Sequence, residues 1–249
     1  MSSALQLALL SCALLGLRHG FDYDHLAAIT DITSVQRNWR EGMRLGVLYA
    51  LGHALTVAVL GVTVLALHLS LPTRMDALGE RAVGATLIVL ALYVLVSFLR
   101  TRGSAHTHPR SRVALLITAV QRLVWLVRRR LSDSVQPPQP FAFQYDRSSV
   151  FAVGVVHGLG AETPSQLMLF LLAANLGGTS RGLLGLGCFL VGLVAMNTLM
   201  TASASGLFAG STSRPRVHGL LTTLTVAYSF CIGVIFLFGI SDRLPALVR

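Results

Sequence analysis

The sequence predicts an all-α fold: a polytopic membrane helix bundle of about six transmembrane helices in two inverted three-helix halves. Three observations predict it. Only 12% of the 249 residues are charged and 53% are hydrophobic, with a mean hydropathy of +0.68. A soluble domain carries about 25% charged residues, and halving that share leaves too little polar surface to face water. The apolar residues fall in runs of about 20, the length an α-helix needs to cross the hydrocarbon core. The arginines, finally, gather between the runs. The chain therefore reads as a single membrane domain, 1–249, and not as a soluble domain with an anchor.

The runs justify the elements in order. The first, 4–30, opens like the apolar core of a signal peptide. It lacks a basic start and an A-x-A-type cleavage site, however, and its apolar character continues to Ile29, so it reads as an uncleaved span. Runs at 44–68 and 82–99 complete a first three-span half, 1–99. The connection 100–148 is the only long one. Its stretch Ala114–Val127, interrupted by Gln121 and Arg122, is followed by Arg128-Arg129-Arg130 and by Pro137–Pro140. About 15 apolar residues with a basic flank suit a helix lying in the interface better than one that spans. Runs at 149–174, 182–209 and 217–240 make the second half, 149–249.

The formal charge of +10 comes from 20 arginines and no lysine. Such a balance can signal nucleic acid, but basic residues in the short segments between apolar runs set membrane orientation instead. No nucleic-acid partner is expected. The segments after spans 1, 3 and 5 carry 14 arginines, against five on the opposite side. That asymmetry puts 100–148 in the cytoplasm and both termini outside. Cys12, Cys188 and Cys231 each lie inside an apolar run with no CxxC spacing, which supports neither a disulfide framework nor a structural zinc site.

A short internal echo accompanies the two halves. Gly16-Leu17-Arg18-His19-Gly20 in span 1 matches Gly154-Val155-Val156-His157-Gly158 in span 4 at three of five positions, 138 residues apart. An odd number of spans per half reverses the second half in the membrane. Inverted-repeat transporters have this arrangement, with sites near the midplane where broken helices meet.

Span 1 also carries the densest chemistry, Arg18-His19-Gly20-Phe21-Asp22-Tyr23-Asp24-His25. Ionisable side chains inside a membrane are expensive and mark pathways or sites. Imidazole and carboxylate together suit Ni²⁺, Co²⁺ or Zn²⁺. On a continuous helix His19, Asp22 and His25 share an arc of about 120°. Asp24 points to another face; it either joins the site where Gly20 loosens the helix or pairs with Arg18. A structural ion-pair network joining helices is the competing reading.

These residues resemble the signature of the nickel/cobalt transporter (NiCoT) family, in which H-x-x-x-x-D-H on a membrane helix is implicated in metal recognition. His19 and the Asp24-His25 pair fit it, with Arg18 before and Ala27-Ala28-Ile29 after. Leu51-Gly52-His53 is similar to the family's L-G-H element, and Gly158-Leu159-Gly160-Ala161-Glu162-Thr163 to its G-L-G-F-D-T stretch. Met196-Asn197-Thr198 sits where the family has an Asp-Thr pair. The resemblance implies a short branch, with six spans in place of eight and an asparagine in place of a carboxylate.

Candidate metal residues are therefore His19, Asp22, Asp24, His25, His53, His157 and Glu162. Pro164 after Thr163 adds a helix break beside Glu162, where freed carbonyls are tolerable only against protein or a wet cavity; Gln166 is a further polar group there. Met196 and Met200 read as packing residues, and His106 and His108 as a solvated loop pair. No enzyme class is expected: H-E-x-x-H, desaturase His boxes and a cysteine pair are absent. Lacking a P-loop as well, the chain is expected to be a secondary transporter in a bacterial cytoplasmic membrane, importing nickel or cobalt. Export, another substrate or a non-transporting sensor or enzyme remain the alternatives. The expected partners are the divalent ion and the bilayer, with no cofactor beyond the transported Ni²⁺ or Co²⁺. Whether a cytoplasmic metallochaperone or metalloenzyme maturation system receives the metal is open.

Overall fold

The computed structural model describes residues 2–36, 38–67, 73–103, 146–160 and 178–244. Among them are seven α-helices: α1 (Ser3–Gly20), α2 (Tyr23–Ser34), α3 (Trp39–Leu67), α4 (Thr73–Gly103), α5 (Arg147–Leu159), α6 (Thr179–Ser211) and α7 (Pro215–Leu237). A single 3₁₀ turn follows at Ser241–Arg243. No strand occurs among the described residues. Four helices, α3, α4, α6 and α7, are long and apolar enough to cross a membrane. The bent pair α1 and α2 counts as a fifth span if taken together. The interfacial stretch 114–127, the loop pair His106 and His108, and Glu162, Pro164 and Gln166 lie outside the described residues.

Local chemistry sets the ends. Ser2 caps α1, Asn38 accepts from the Glu41 N–H at 2.8 Å to start α3, and Asp146 accepts from the Ser149 N–H at 2.9 Å to start α5. These short polar side chains satisfy the amides that a helix start leaves unpaired. Pro215 opens α7 at a position where a missing N–H costs nothing. The first span is where the structure departs from a continuous helix. Gly20 ends α1, Phe21 and Asp22 form a turn, and α2 leaves at 55°. Glycine has low helix propensity, and Asp22 takes the extended N-cap conformation that aspartate favours. Asp31 then sits inside the rest of that span, one residue beyond the boundary the apolar run suggested.

The bundle is apolar on its outside as well as in much of its core. Leu10, Leu55, Val59, Val191, Leu199 and Leu224 are exposed, whereas four histidines and two aspartates are buried. Apolar side chains thus meet the lipid, and polar groups pair in the interior.

Helices gain nothing from hydrophobic burial against one another in lipid, so close backbone approach at small residues becomes the means of packing. A Cβ added at Gly16 would fall on the Phe189 carbonyl of α6, and one at Gly192 on the Ala13 carbonyl of α1. The α3–α5 crossing is built alike: Gly154 lies on the Tyr49 carbonyl and Gly52 on that of Phe151. One turn on, Gly20 meets Leu193 and Met196, while Gly158 meets His53 and Thr56. Positions 13, 16 and 20 correspond to 151, 154 and 158, and 49, 52, 53 and 56 to 189, 192, 193 and 196. Gly84 of α4 and Gly233 of α7 face each other reciprocally.

Candidate metal centre

The break in the first span positions the centre. α1 delivers His19 at its C-terminal end, α2 delivers Asp24 and His25 in its first turn, and α3 passes alongside with His53. All three histidines are buried, at 1% exposure each. The His53 Nε2 lies 3.1 Å from His19 Nε2 and 3.3 Å from His25 Nε2. One ligand nitrogen from each of the three falls within 4.8 Å of the others. Two nitrogens bound to one metal at about 2.0–2.1 Å stand ~3–3.4 Å apart, so the spacing fits a shared ion as well as it fits hydrogen bonds between the rings. The His19 and His25 rings meet edge to face at 5.0 Å between centroids, and Phe189 of α6 packs beside His19 at 5.5 Å. Unpaired carbonyls at a helix C-terminus carry partial negative charge, which suits a cation beside the end of α1.

The two aspartates face the other ring nitrogens. The His25 Nδ1–H donates to Asp24 Oδ1 at 2.9 Å, and His19 Nδ1 stands 3.5 Å from Asp22 Oδ2. A carboxylate behind the second nitrogen fixes the tautomer and turns the Nε2 lone pair toward a metal. His53 has no such support, since its Nδ1 lacks a hydrogen-bond partner.

His157 is drawn in differently. Tyr49 Oη lies 2.9 Å from its Nδ1 and Thr86 Oγ1 lies 2.9 Å from its Nε2. The Thr86 hydroxyl donates its own proton to the Val83 carbonyl at 2.7 Å. Thr86 therefore accepts from the His157 Nε2–H, and Tyr49 donates to Nδ1. Both imidazole nitrogens are occupied, and Asp24 Oδ2 approaches Nδ1 only to 4.0 Å. Of the seven sequence candidates the structure thus brings five together, His19, Asp22, Asp24, His25 and His53. It sets His157 against the far oxygen of Asp24, while Glu162 lies outside the described residues.

Sequence reasoning missed Tyr49 and Thr86, whose roles depend on contacts 108 and 71 residues away. It also missed Asp31, which is fully buried and bonded to Ser229 at 2.5 Å. An ionisable residue so close to an apolar run was the available signal. Asn197, at the position where the resemblance replaces a carboxylate, is fully buried, and neither amide atom has a hydrogen-bond partner.

The chain is similar to several proteins named for metal transport or urease. The cobalt transport protein NhlF of Rhodococcus rhodochrous is 29% identical over 198 residues, covering 76% of this chain and 56% of its own length. A high-affinity nickel transport protein of Cupriavidus necator is 26% identical over 239 residues, 91% of this chain and 66% of its own. The urease accessory protein UreH of Bacillus sp. (strain TB-90) is 22% identical over 227 residues, 91% of this chain and 88% of its own. The chain thus spans less than two thirds of the first two relatives. No solved structure matches it. The profile of the family described as high-affinity nickel-transport protein (NicO) matches residues 4–242, and with its several apolar helices the chain is a multi-pass membrane protein belonging to that family of metal transporters.

Proposed function

We propose that the chain is a secondary transporter that imports Ni²⁺, and Co²⁺ as a second cargo, through the buried histidine cluster. The observation that carries this reading is the convergence of the Nε2 atoms of His19, His25 and His53 at 3.1 and 3.3 Å inside an apolar bundle. Three buried imidazoles would otherwise leave nitrogens facing one another without enough protons to pair them all. A nitrogen-rich site with carboxylates behind it suits a late first-row divalent ion. The relatives named for nickel and for cobalt transport support the same cargo, and the one named as a urease accessory protein supports a link to a metalloenzyme.

The paired glycine crossings support six spans in two inverted halves, with the bent span 1 and span 4 as partners. Rocking of one half against the other would then expose the cluster to each side in turn. The arginine asymmetry supports a cytoplasmic 100–148 loop and external termini. At the position corresponding to Asp24 stands Glu162, 138 residues on. It is our candidate for a third carboxylate at the cluster.

Uptake of ⁶³Ni²⁺ by cells expressing the chain, with a panel of competing ions, tests the reading. Import with nickel and cobalt competing and magnesium silent is expected. Binding without accumulation points to a sensor, and metal-dependent depletion of preloaded cells points to export; either result overturns import.

A further inference from the structure

One face of α2 holds a second carboxyl that the histidine cluster does not use. Asp24 and Asp31 are seven residues apart, so they lie on the same side of the helix, about 10 Å apart along its axis. Between them on that face stand only Ala27 and Ala28, both fully buried. Asp31 is itself 0% exposed. Its Oδ2 accepts from the Ser229 hydroxyl of α7 at 2.5 Å, and its Oδ1 has no hydrogen-bond partner. No arginine or histidine nitrogen among the described residues comes within 4.0 Å of it.

Among the described residues, the elements packed on α2 offer no compensating charge. From α7 come Ser229 and the neighbouring Tyr228, whose hydroxyl is committed to the Tyr23 carbonyl. The buried ionisable groups of α3 are Tyr49 and His53, both engaged around the histidines. The buried side chains of α6 are apolar or carry only hydroxyls and the Asn197 amide, and those of α4 are apolar. An isolated carboxylate in such a place is strongly disfavoured against its neutral form. A divalent cation held by the histidines at the other end of this helix works against that preference, because its field stabilises the ionised carboxyl.

From this geometry we infer that Asp31 holds the proton that is exchanged against the metal. When the histidines are empty, Asp31 is a neutral acid. When Ni²⁺ enters the cluster, the Asp31 O–H bond breaks, the proton leaves to water, and the carboxylate remains as a partial counter-charge. The proton returns when the metal leaves. The inference rests on the metal-binding reading above and assigns the coupling proton to Asp31. The position corresponding to Asp31 in the second half is Leu169, which carries no titratable proton.

The test is calorimetric titration of the purified full-length protein with NiCl₂ at pH 7 in buffers of different ionisation enthalpy, which counts protons released per ion. Asp31→Asn copies the neutral acid in size and hydrogen bonding. We expect it to keep Ni²⁺ binding within about tenfold while proton release falls by up to one per ion. Ser229→Ala, which removes the hydroxyl partner, should shift the pH range over which release occurs. Unchanged release in Asp31→Asn overturns the proposal, and so does loss of Ni²⁺ binding in that variant, which would make Asp31 structural. His19→Ala separates the two readings. If it binds nickel like the unaltered protein, the histidine site itself is wrong; if it does not while Asp31→Asn releases as many protons as before, only the present inference fails.

Discussion

His19 and His157 occupy corresponding places at two similarly built helix crossings, yet the surroundings give them different chemistry. Each is buried at 1% exposure and followed by a glycine that lets a neighbouring helix close in. Among the described residues, His19 faces the imidazoles of His25 and His53, the Phe189 ring and a carboxylate, with its Nε2 toward His53 and its Nδ1 toward Asp22. Around His157 they are the hydroxyls of Tyr49 and Thr86, which use both nitrogens. The backbone arrangement therefore does not decide whether a buried histidine is available to a metal. Two or three neighbouring side chains decide it, and a hydroxyl that both donates and accepts satisfies an imidazole as fully as an ion would.

The largest effect should come from the cluster. His19→Ala and His25→Ala are each expected to lower Ni²⁺ affinity by on the order of 100-fold or more and to abolish uptake, since each would remove a proposed ligand and outer-shell losses alone cost 10–100-fold. Radiolabelled binding in membranes reads this directly, with immunoblotting to confirm that the variants are inserted. If either variant transports normally, His19 is no more a ligand than His157, and the contrast disappears.

Asp24→Asn comes next. It keeps a hydrogen bond to His25 but loses the charge behind the ring, for an expected weakening of roughly 10–100-fold in Ni²⁺ affinity. A full abolition equal to that of His25→Ala would instead mark Asp24 as a direct ligand.

His157→Phe sharpens the comparison from the other side. It should leave the Tyr49 hydroxyl buried without its acceptor and destabilise the protein by about 1–3 kcal/mol. The measurement is a lowered melting temperature in detergent, with Ni²⁺ affinity changed by less than tenfold. A selective loss of metal affinity at unchanged stability would make His157 a ligand after all. The smallest effect is expected from His106→Ala with His108→Ala, read from the sequence as a loop pair, which should leave uptake at saturating nickel unchanged.

Much of this was legible beforehand, and the limits have physical causes. Run lengths and sparse charge sufficed for an all-helical membrane bundle, because a span must be apolar over its whole length. His19, Asp24 and His25 stood out because ionisable groups in such a run are costly. His53 needed the resemblance, since one histidine in an apolar helix has no periodic signature. The 55° turn at Phe21–Asp22 was less accessible: Gly20 suggested loosening, but an angle depends on what α6 and α3 leave room for. The difference between His19 and His157 was not accessible at all, because Tyr49 and Thr86 lie far from His157 in the chain. Asp31 fell one residue past a boundary drawn on hydropathy, where the run ended because the carboxyl was counted against it.

The bent first span has a consequence for how the protein is made. α1 and α2 together carry Arg18, Asp22, Asp24 and Asp31, and each aspartate or arginine near a helix centre costs ~2.5–3.5 kcal/mol at the translocon. Such a segment is a poor substrate for insertion by itself. The glycine contacts that seat α1 belong to α6, which emerges from the ribosome more than 150 residues later. If α1 and α2 integrate only against α6, the segment carrying the candidate metal residues would wait at the membrane surface until α6 is made. A bulky residue at Gly192 would then show itself during biogenesis, as a first span that fails to integrate and a chain cleared by membrane proteases before any nickel is met.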